Sequence, residues 1–230
     1  MAARRPQKSN RDKIIDATLQ LAAERPWSEV RLPDIAAASE LPLRQIYEEF
    51  GSRSEILAAF SRRLDAEVLG EEEMNAEIVD ESPRDRLFEV LMRRFEAMQP
   101  HRAALSSILA CYSCQPTDSL SALPQLGRSM AWMLTAAGIS AEGWRGILRI
   151  KGVSAIWLAT LRVWLKDDSE DMAKTMAALD RNLRRAEDLI SRLPRRRRRA
   201  YAEDAGAGAE ASADPGPEAP GPEAPSGAPA

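Results

Sequence analysis

The sequence predicts an all-α fold of about nine helices, four in a first set and five in a second. Three observations predict it. Aromatic residues make up 5% of the 230 residues and glycines number 12, while Ala, Leu, Arg and Glu dominate, a composition that favours helices over a β-sandwich or barrel. Apolar residues recur at three- and four-residue spacing through the stretches from residue 10 to residue 192. Prolines and glycines fall between those stretches, and no internal repeat points to a solenoid.

The first set opens at Asn10, which can cap a helix running to about Glu24 with Ile14, Ile15, Leu19 and Ala22 on one face. Pro26 stops it. Pro33 suits the first turn of a short second helix ending near Ser39, and Pro42 opens a third ending near Phe50. Gly51 breaks the third helix. Ser52 caps the fourth, and Glu55, three residues on, completes a capping-box pattern. That helix carries Ile56, Leu57, Phe60, Leu64 and Val68 and ends at Gly70.

Residues 71–83 read as an acidic linker, with six carboxylates and no base between Glu71 and Ser82. The second set is expected at 84–98, 102–113, 120–137, 143–166 and 171–192, separated by Pro100, Pro116, Gly138 and the turn from Lys166 to Asp171. From Pro194 onward come five consecutive arginines, Arg195 to Arg199, and then Ala-, Gly-, Pro- and Glu-rich sequence. With almost no large apolar side chain, 194–230 cannot offset the entropy of ordering and reads as a disordered tail. The expected organisation is a basic arm (1–9), a four-helix unit (10–70), the linker, a helical domain (84–193) and the tail.

Several functions are hard to build from this sequence. One histidine and two cysteines argue against a disulfide scaffold, a Cys/His zinc site or a histidine-based triad. Cys111 and Cys114 form C-x-x-C, but within a predicted helix, with no second pair and far in sequence from His101. No glycine-rich phosphate loop is present. The neighbouring carboxylates Asp167 and Asp168 have nothing around them that would part their pKa values. The sequence therefore predicts no catalytic residue, no metal and no cofactor. No apolar run approaches the roughly 20 residues of a membrane span, and the basic N-terminus leads into no signal-peptide core. A cytoplasmic protein without a transmembrane segment is expected. The net charge of -3 sums unlike segments: residues 1–13 carry five bases and one acid, whereas residues 1–70 carry eleven of each. Any attraction of the first unit to a polyanion must come from where its bases sit.

Helices two and three are too short to be stable alone and need helices one and four to cover them. Two short helices joined by a tight turn can set the second into a DNA major groove. The run LPDIAAASELPLRQIYEEFGSRSEIL, from Leu32 to Leu57, resembles the N-terminal DNA-binding domain of the TetR family of transcriptional regulators. The matching features are Asp34-Ile35-Ala36, Leu41 after the turn, Ile46-Tyr47 followed by Phe50, and Gly51-Ser52-Arg53 leading into an apolar helix. The resemblance covers residues 10 to 65. It implies a homodimeric regulator of double-stranded DNA at a palindromic operator, a repressor released by an apolar small molecule. It points to Arg44 and Gln45 for base edges, Tyr47 and Arg53 for the backbone, Arg31 for a phosphate, Leu43 as a further DNA-binding residue, and Arg4, Arg5 and Lys8 as an arm that follows a groove or the backbone. Departures from the pattern are Glu40 in place of the turn glycine, Pro42 in place of the capping serine, and Glu48-Glu49 after the tyrosine. Glu48 can still accept a hydrogen bond from cytosine N4.

In the second set, Trp157 and Trp164 stand seven apart on one helix face, as core or as the lining of a ligand cavity. The TetR resemblance implies such a cavity, with Phe95, Met98, Ile108, Cys111, Tyr112, Met133, Trp157 and Leu161 as candidate linings. Met172, Met176, Leu179, Leu183, Ala186 and Ile190 step by four, three, four, three and four, a seam for a dimer or for packing within one subunit. Gly152, Ala155 and Ala159 on the preceding helix would permit close approach in a dimer. The segment LATLRVWLKDDSEDMAKTMAALDRNLRRAEDL is also similar to the Coq-nine lipid-binding family of ubiquinone biosynthesis, which has a TetR-like fold. That likeness implies a second reading, a lipid-binding accessory protein of quinone or isoprenoid metabolism with a vestigial helix-turn-helix.

Overall fold

Ser9, rather than Asn10, caps the first helix: its Oγ accepts the Asp12 N–H at 3.1 Å, and α1 spans Asn10–Glu24. Pro26 ends the helical path and a single 3₁₀ turn, Trp27–Glu29, leads on to α2 (Leu32–Ala38). There the Arg31 N–H donates to Asp34 Oδ2 at 2.9 Å, which satisfies one orphan donor of the helix start. After α3 (Leu43–Glu49), Ser52 caps α4 (Arg53–Leu69) by accepting the Glu55 N–H. Glu55 reaches back to the N–H of Gly51, one residue before the cap, at 2.9 Å. The computed structural model describes residues 8–70, 82–114 and 116–191, without the side chains of 113–121, 190 and 191. Arg4, Arg5, most of the acidic linker and the arginine-rich tail lie outside the described residues.

The second set consists of α5 (Pro83–Met98), α6 (Arg102–Cys114), α7 (Pro116–Ala136), α8 (Gly143–Trp164) and α9 (Ala173–Ser191). The described residues thus form nine α-helices and no strand. Helix α7 starts four residues before the expected point because Pro116 opens it, where the missing N–H costs nothing, instead of separating it from α6. Pro124 lies within α7.

The turn between α2 and α3 fixes the relation of the two short helices. Leu41 N–H bonds to Ala36 O at 3.1 Å and Glu40 N–H to Ala37 O at 3.3 Å, the paired bonds of a Schellman helix end. That geometry needs a left-handed residue, and Glu40 supplies it at φ 56°. A side chain with a Cβ is strained there and glycine is not. Glu40→Gly is expected to raise folding stability by about 0.5–1 kcal/mol, read as a higher urea midpoint with an unchanged slope. A lower midpoint would mean that Glu40 makes a stabilising contact.

A single apolar cluster runs through both helix sets, from Ile14, Ile35, Ile46 and Ile56 to Leu91, Met133, Trp164 and Leu179. Helix α1 packs on α6, and α4 packs on α5 and α7. Polar bonds cross the same junction. Ser107 Oγ accepts the Trp27 N–H at 2.9 Å and donates to Arg25 O at 3.2 Å. Buried Arg94 of α5 donates to buried Asp65 of α4, and Ser129 of α7 donates to the same carboxylate at 2.7 Å.

Two groups of expected site residues in the second set lie within the core of this chain. The residues proposed to line a ligand cavity close on one another. The Phe95 ring stacks on Trp157 at 4.2 Å and 18°, and leans on Trp164 at 5.9 Å. Met98, Ile108, Met133 and Leu161 are buried around them, with Cys111 and Tyr112 half-buried against the same core. The a/d-like seam is likewise internal. Met172, Leu179 and Leu183 are buried within the chain, Met176 packs against them, and α9 lies along α8 and α5. An amphipathic stripe on a terminal helix has the same period whether its partner is its own chain or a second copy. Ile190, the last residue of the expected seam, has no described side chain.

The α8–α9 corner explains the Asp167-Asp168-Ser169 motif. Fully buried Asp167 accepts from the Ser169 N–H and hydroxyl with one oxygen and from the Thr175 N–H and hydroxyl, at 2.8 and 2.7 Å, with the other. Burial would raise this carboxyl, but the four bonds outweigh it and hold the group well below the usual carboxylate range. Asp168 is exposed. The motif is the hinge of a helix hairpin.

Candidate nucleic-acid interface

Helix α3 has two turns and two faces. Ile46 within it and Phe50 at its end are buried, pinning it to α1 and α2. Leu43, Arg44, Tyr47 and Glu48 face away from the core, with Tyr47 79% exposed. A tyrosine so far out of an otherwise closed small domain has no packing duty. It offers a ring and a hydroxyl to whatever approaches α3.

The charges on this surface are arranged in pairs. Arg44 Nε donates to Glu48 Oε1 at 2.8 Å, one turn along the helix. Glu49 points to the side, 3.7 Å from Arg11 of α1, whose guanidinium lies 4.5 Å over the Phe50 ring. Arg11 escaped the sequence reading. It is one of five bases in the first 13 residues, and only the packing of α1 on α3 selects it. Gln45 is half-buried, and its Oε1 accepts from Asn10 Nδ2 at 3.5 Å, a long bond that leaves the amide free to exchange partners. Arg31 stands exposed at the start of α2. Beneath it the Arg31 N–H, aided by Arg25 at 3.1 Å, holds the Asp34 carboxyl below the usual carboxylate range.

Two expected backbone contacts are placed elsewhere. Lys8 folds back on α1, 2.6 Å from Asp16. Burial would raise the Asp16 carboxyl, but bonds from Lys8 and Arg63 hold it low. Arg53 turns inward: its guanidinium donates to Val30 O and, at 3.1 Å, to Trp27 O, and lies 5.0 Å over the Trp27 ring. It ties the α1–α2 connection to the head of α4, a structural task that a basic residue at a helix start does not announce in sequence. The outward set on the reading face is therefore Leu43, Arg44, Tyr47 and Glu48, flanked by Arg31 and Arg11.

Residues 14–60, which contain α2, α3 and the start of α4, match the sequence pattern described as bacterial regulatory proteins, tetR family. The chain is 39% identical over 54 residues to the HTH-type transcriptional regulator AlkX of Mycobacterium tuberculosis, a match spanning 26% of that protein's length. It is 22% identical over 173 residues to the HTH-type transcriptional repressor KstR of Rhodococcus jostii, covering 74% of this chain and 80% of KstR. Among solved structures, a TetR transcriptional regulator from Nitrosomonas europaea superposes with a TM-score of 0.63 at 27% identity, covering 78% of this chain and 99% of the other. The likeness therefore extends through the second helix set, where the helix-turn-helix pattern has ended. Residues 14–60 thus carry the helix-turn-helix pattern of the tetR family of bacterial regulatory proteins, and the fold behind that unit is similar to that of a TetR transcriptional regulator.

Proposed function

We propose that the protein is a homodimeric transcriptional repressor that binds a palindromic site on double-stranded DNA through α3 and leaves it when an apolar small molecule enters the second helix set. The observation that carries this reading is the outward face of α3, with Leu43, Arg44, Tyr47 and Glu48 free of the core on a helix held rigidly from behind. Two copies of a short reading helix, set about one turn of duplex apart, are what a palindrome requires.

The second copy binds across α7 and α8. Trp132, Trp144, Ile147 and Leu148 are each between 46% and 62% exposed, a cluster of large apolar side chains on two neighbouring helices. Gly127 of α7 lies against Ile150 of α8, a register that brings Trp132 level with the start of α8. Gly152 and Ala155 continue the exposed stripe along α8, with half-buried Ala159 beyond them. Apolar area of this kind, concentrated in one place, marks an interface between copies. Ile147→Glu sets a charge in the middle of it and is expected to give a folded monomer by sedimentation, with an unchanged melting profile of the protomer. A dimer that survives the substitution places the interface elsewhere.

Effector release acts through α5. A molecule entering between Phe95 and Trp157 must part the two rings, and α5 carries both Phe95 and Arg94, whose partner Asp65 sits on α4. Helix α4 begins directly after α3. A displaced α5 therefore moves the reading helices of a dimer and changes their separation. The accessory-protein reading is not favoured. Residues 14–60 match the tetR-family pattern, and the outward face of α3 that a DNA-binding reading needs is exposed.

The test is a genome-wide binding selection at low salt with the full chain. It is expected to recover palindromic sites, with affinity falling steeply as salt rises. Arg44→Ala is expected to lose about 1–3 kcal/mol of discrimination. No enriched duplex at low salt would overturn the proposal.

A further inference from the structure

A carboxylate on a DNA-reading face is a liability unless it has a donor to meet. Residues 40–49 carry three carboxylates, Glu40, Glu48 and Glu49. The structure separates them. Glu40 is the left-handed residue of the turn, and Glu49 is turned aside toward Arg11 at 3.7 Å. Only Glu48 stands on the outward face, 54% exposed in its side chain and bonded to the 87% exposed Arg44.

The bond has a specific geometry. Arg44 uses Nε to reach Glu48, which leaves its two terminal nitrogens as a fork not engaged by Glu48, on a side chain 87% exposed. That fork matches guanine O6 and N7, the commonest specific contact in the major groove. Glu48 uses one oxygen for Arg44 and keeps the other. In the major groove the only hydrogen-bond donors are cytosine N4 and adenine N6, and a carboxylate pairs with the first of these. Four residues along a helix advance about 6 Å, less than two base-pair rises of about 3.4 Å. The two side chains therefore reach base pairs no more than two rises apart.

We infer that Arg44 and Glu48 act as a joined reading pair, Arg44 on guanine and Glu48 on the N4 amino group of cytosine, and that each operator half-site carries guanine and cytosine within two base pairs of each other. The inference rests on the assignment of α3 as the DNA-contacting helix and adds what that helix reads. Glu48 also holds the Arg44 fork in place, so the cost of ordering a long, exposed side chain is met before binding. Thymine or guanine opposite Glu48 presents only acceptors and leaves the carboxylate without a donor among phosphates, which turns its charge into a rejection device.

The experiment is selection from randomised duplex DNA at low salt with the full-length wild-type chain, Glu48→Ala and Arg44→Ala. All three should share one melting temperature, because both residues are exposed and outside the core. The wild type is expected to enrich half-sites with guanine and cytosine within two base pairs. Glu48→Ala should lose the preference for cytosine at one position of each half-site, a change of about five- to 150-fold in relative affinity, and keep its other preferences. Arg44→Ala should lose the guanine. The inference is overturned if Glu48→Ala keeps every base preference and only binds all duplexes more tightly, or if the wild-type motif lacks such a step. Enrichment of no duplex by the wild type overturns the assignment of α3 itself, an outcome distinct from both.

Discussion

Arg94→Ala is expected to cost about 3–5 kcal/mol of folding stability, a large part of the roughly 5–15 kcal/mol that holds a domain together. Arg94 is buried between α4, α5 and α7, and burial pulls its guanidinium down to about 10, so at neutral pH it still carries its charge. It answers that charge with Asp65, donates to Ser61 Oγ at 3.2 Å and lies 5.3 Å over the Trp157 ring. The alanine variant leaves Asp65 buried with Ser129 as its remaining donor, and removing one partner of a buried ion pair strands the other without its counter-charge. Urea denaturation measures the loss. Removing both charges with Arg94→Met and Asp65→Leu should recover most of it, because an apolar pair of similar volume replaces a desolvated ion pair at little cost. A single-variant loss below 1 kcal/mol would show that the pair is hydrated and does not tie the two helix sets together. The double variant would also separate stability from switching: it should fold well yet respond weakly to effector, since the bond from α5 to α4 is gone.

Trp157→Ala is expected to cost about 3–5 kcal/mol as well, for a different reason. Trp157 is 3% exposed and fills the space between α8 and the Phe95 ring. Its removal leaves an apolar void that neighbours held by Arg94, Trp164 and Leu161 cannot close. Voids of this kind stay dry and accept small aromatic molecules. Indole should therefore raise the melting temperature of Trp157→Ala and leave that of the wild type unchanged. Equal behaviour of the two proteins would mean that the stacked pair already opens to apolar ligands of that size.

How much of this was legible beforehand depends on how local the cause is. The capping of α4 by Ser52, the break at Gly51 and the Pro33 start of α2 are decided within a few residues, and they read directly from the chain. The α1 cap moved by one residue, to Ser9, because Ser9 and Asn10 are chemically equivalent caps until the first turn is built. Helix α7 began early because a proline serves equally as a stop and as a first residue. The helix-turn-helix was visible because its constraints lie within 26 consecutive residues, Leu32 to Leu57.

By itself the sequence determined the all-helical class, the position of the helix-turn-helix and its likeness to the tetR pattern, since these follow from periodicity, caps and short-range spacing. Only the tertiary structure decided which faces meet. It turned the α9 seam inward, closed Phe95 on Trp157 and Trp164, drew Arg53 and Lys8 into internal bonds, brought Arg11 beside Glu49, and left Trp132, Trp144, Ile147 and Leu148 uncovered. A helical repeat specifies that a face is apolar or charged. The partner of that face is set by contacts between residues far apart in the chain, which no local pattern records.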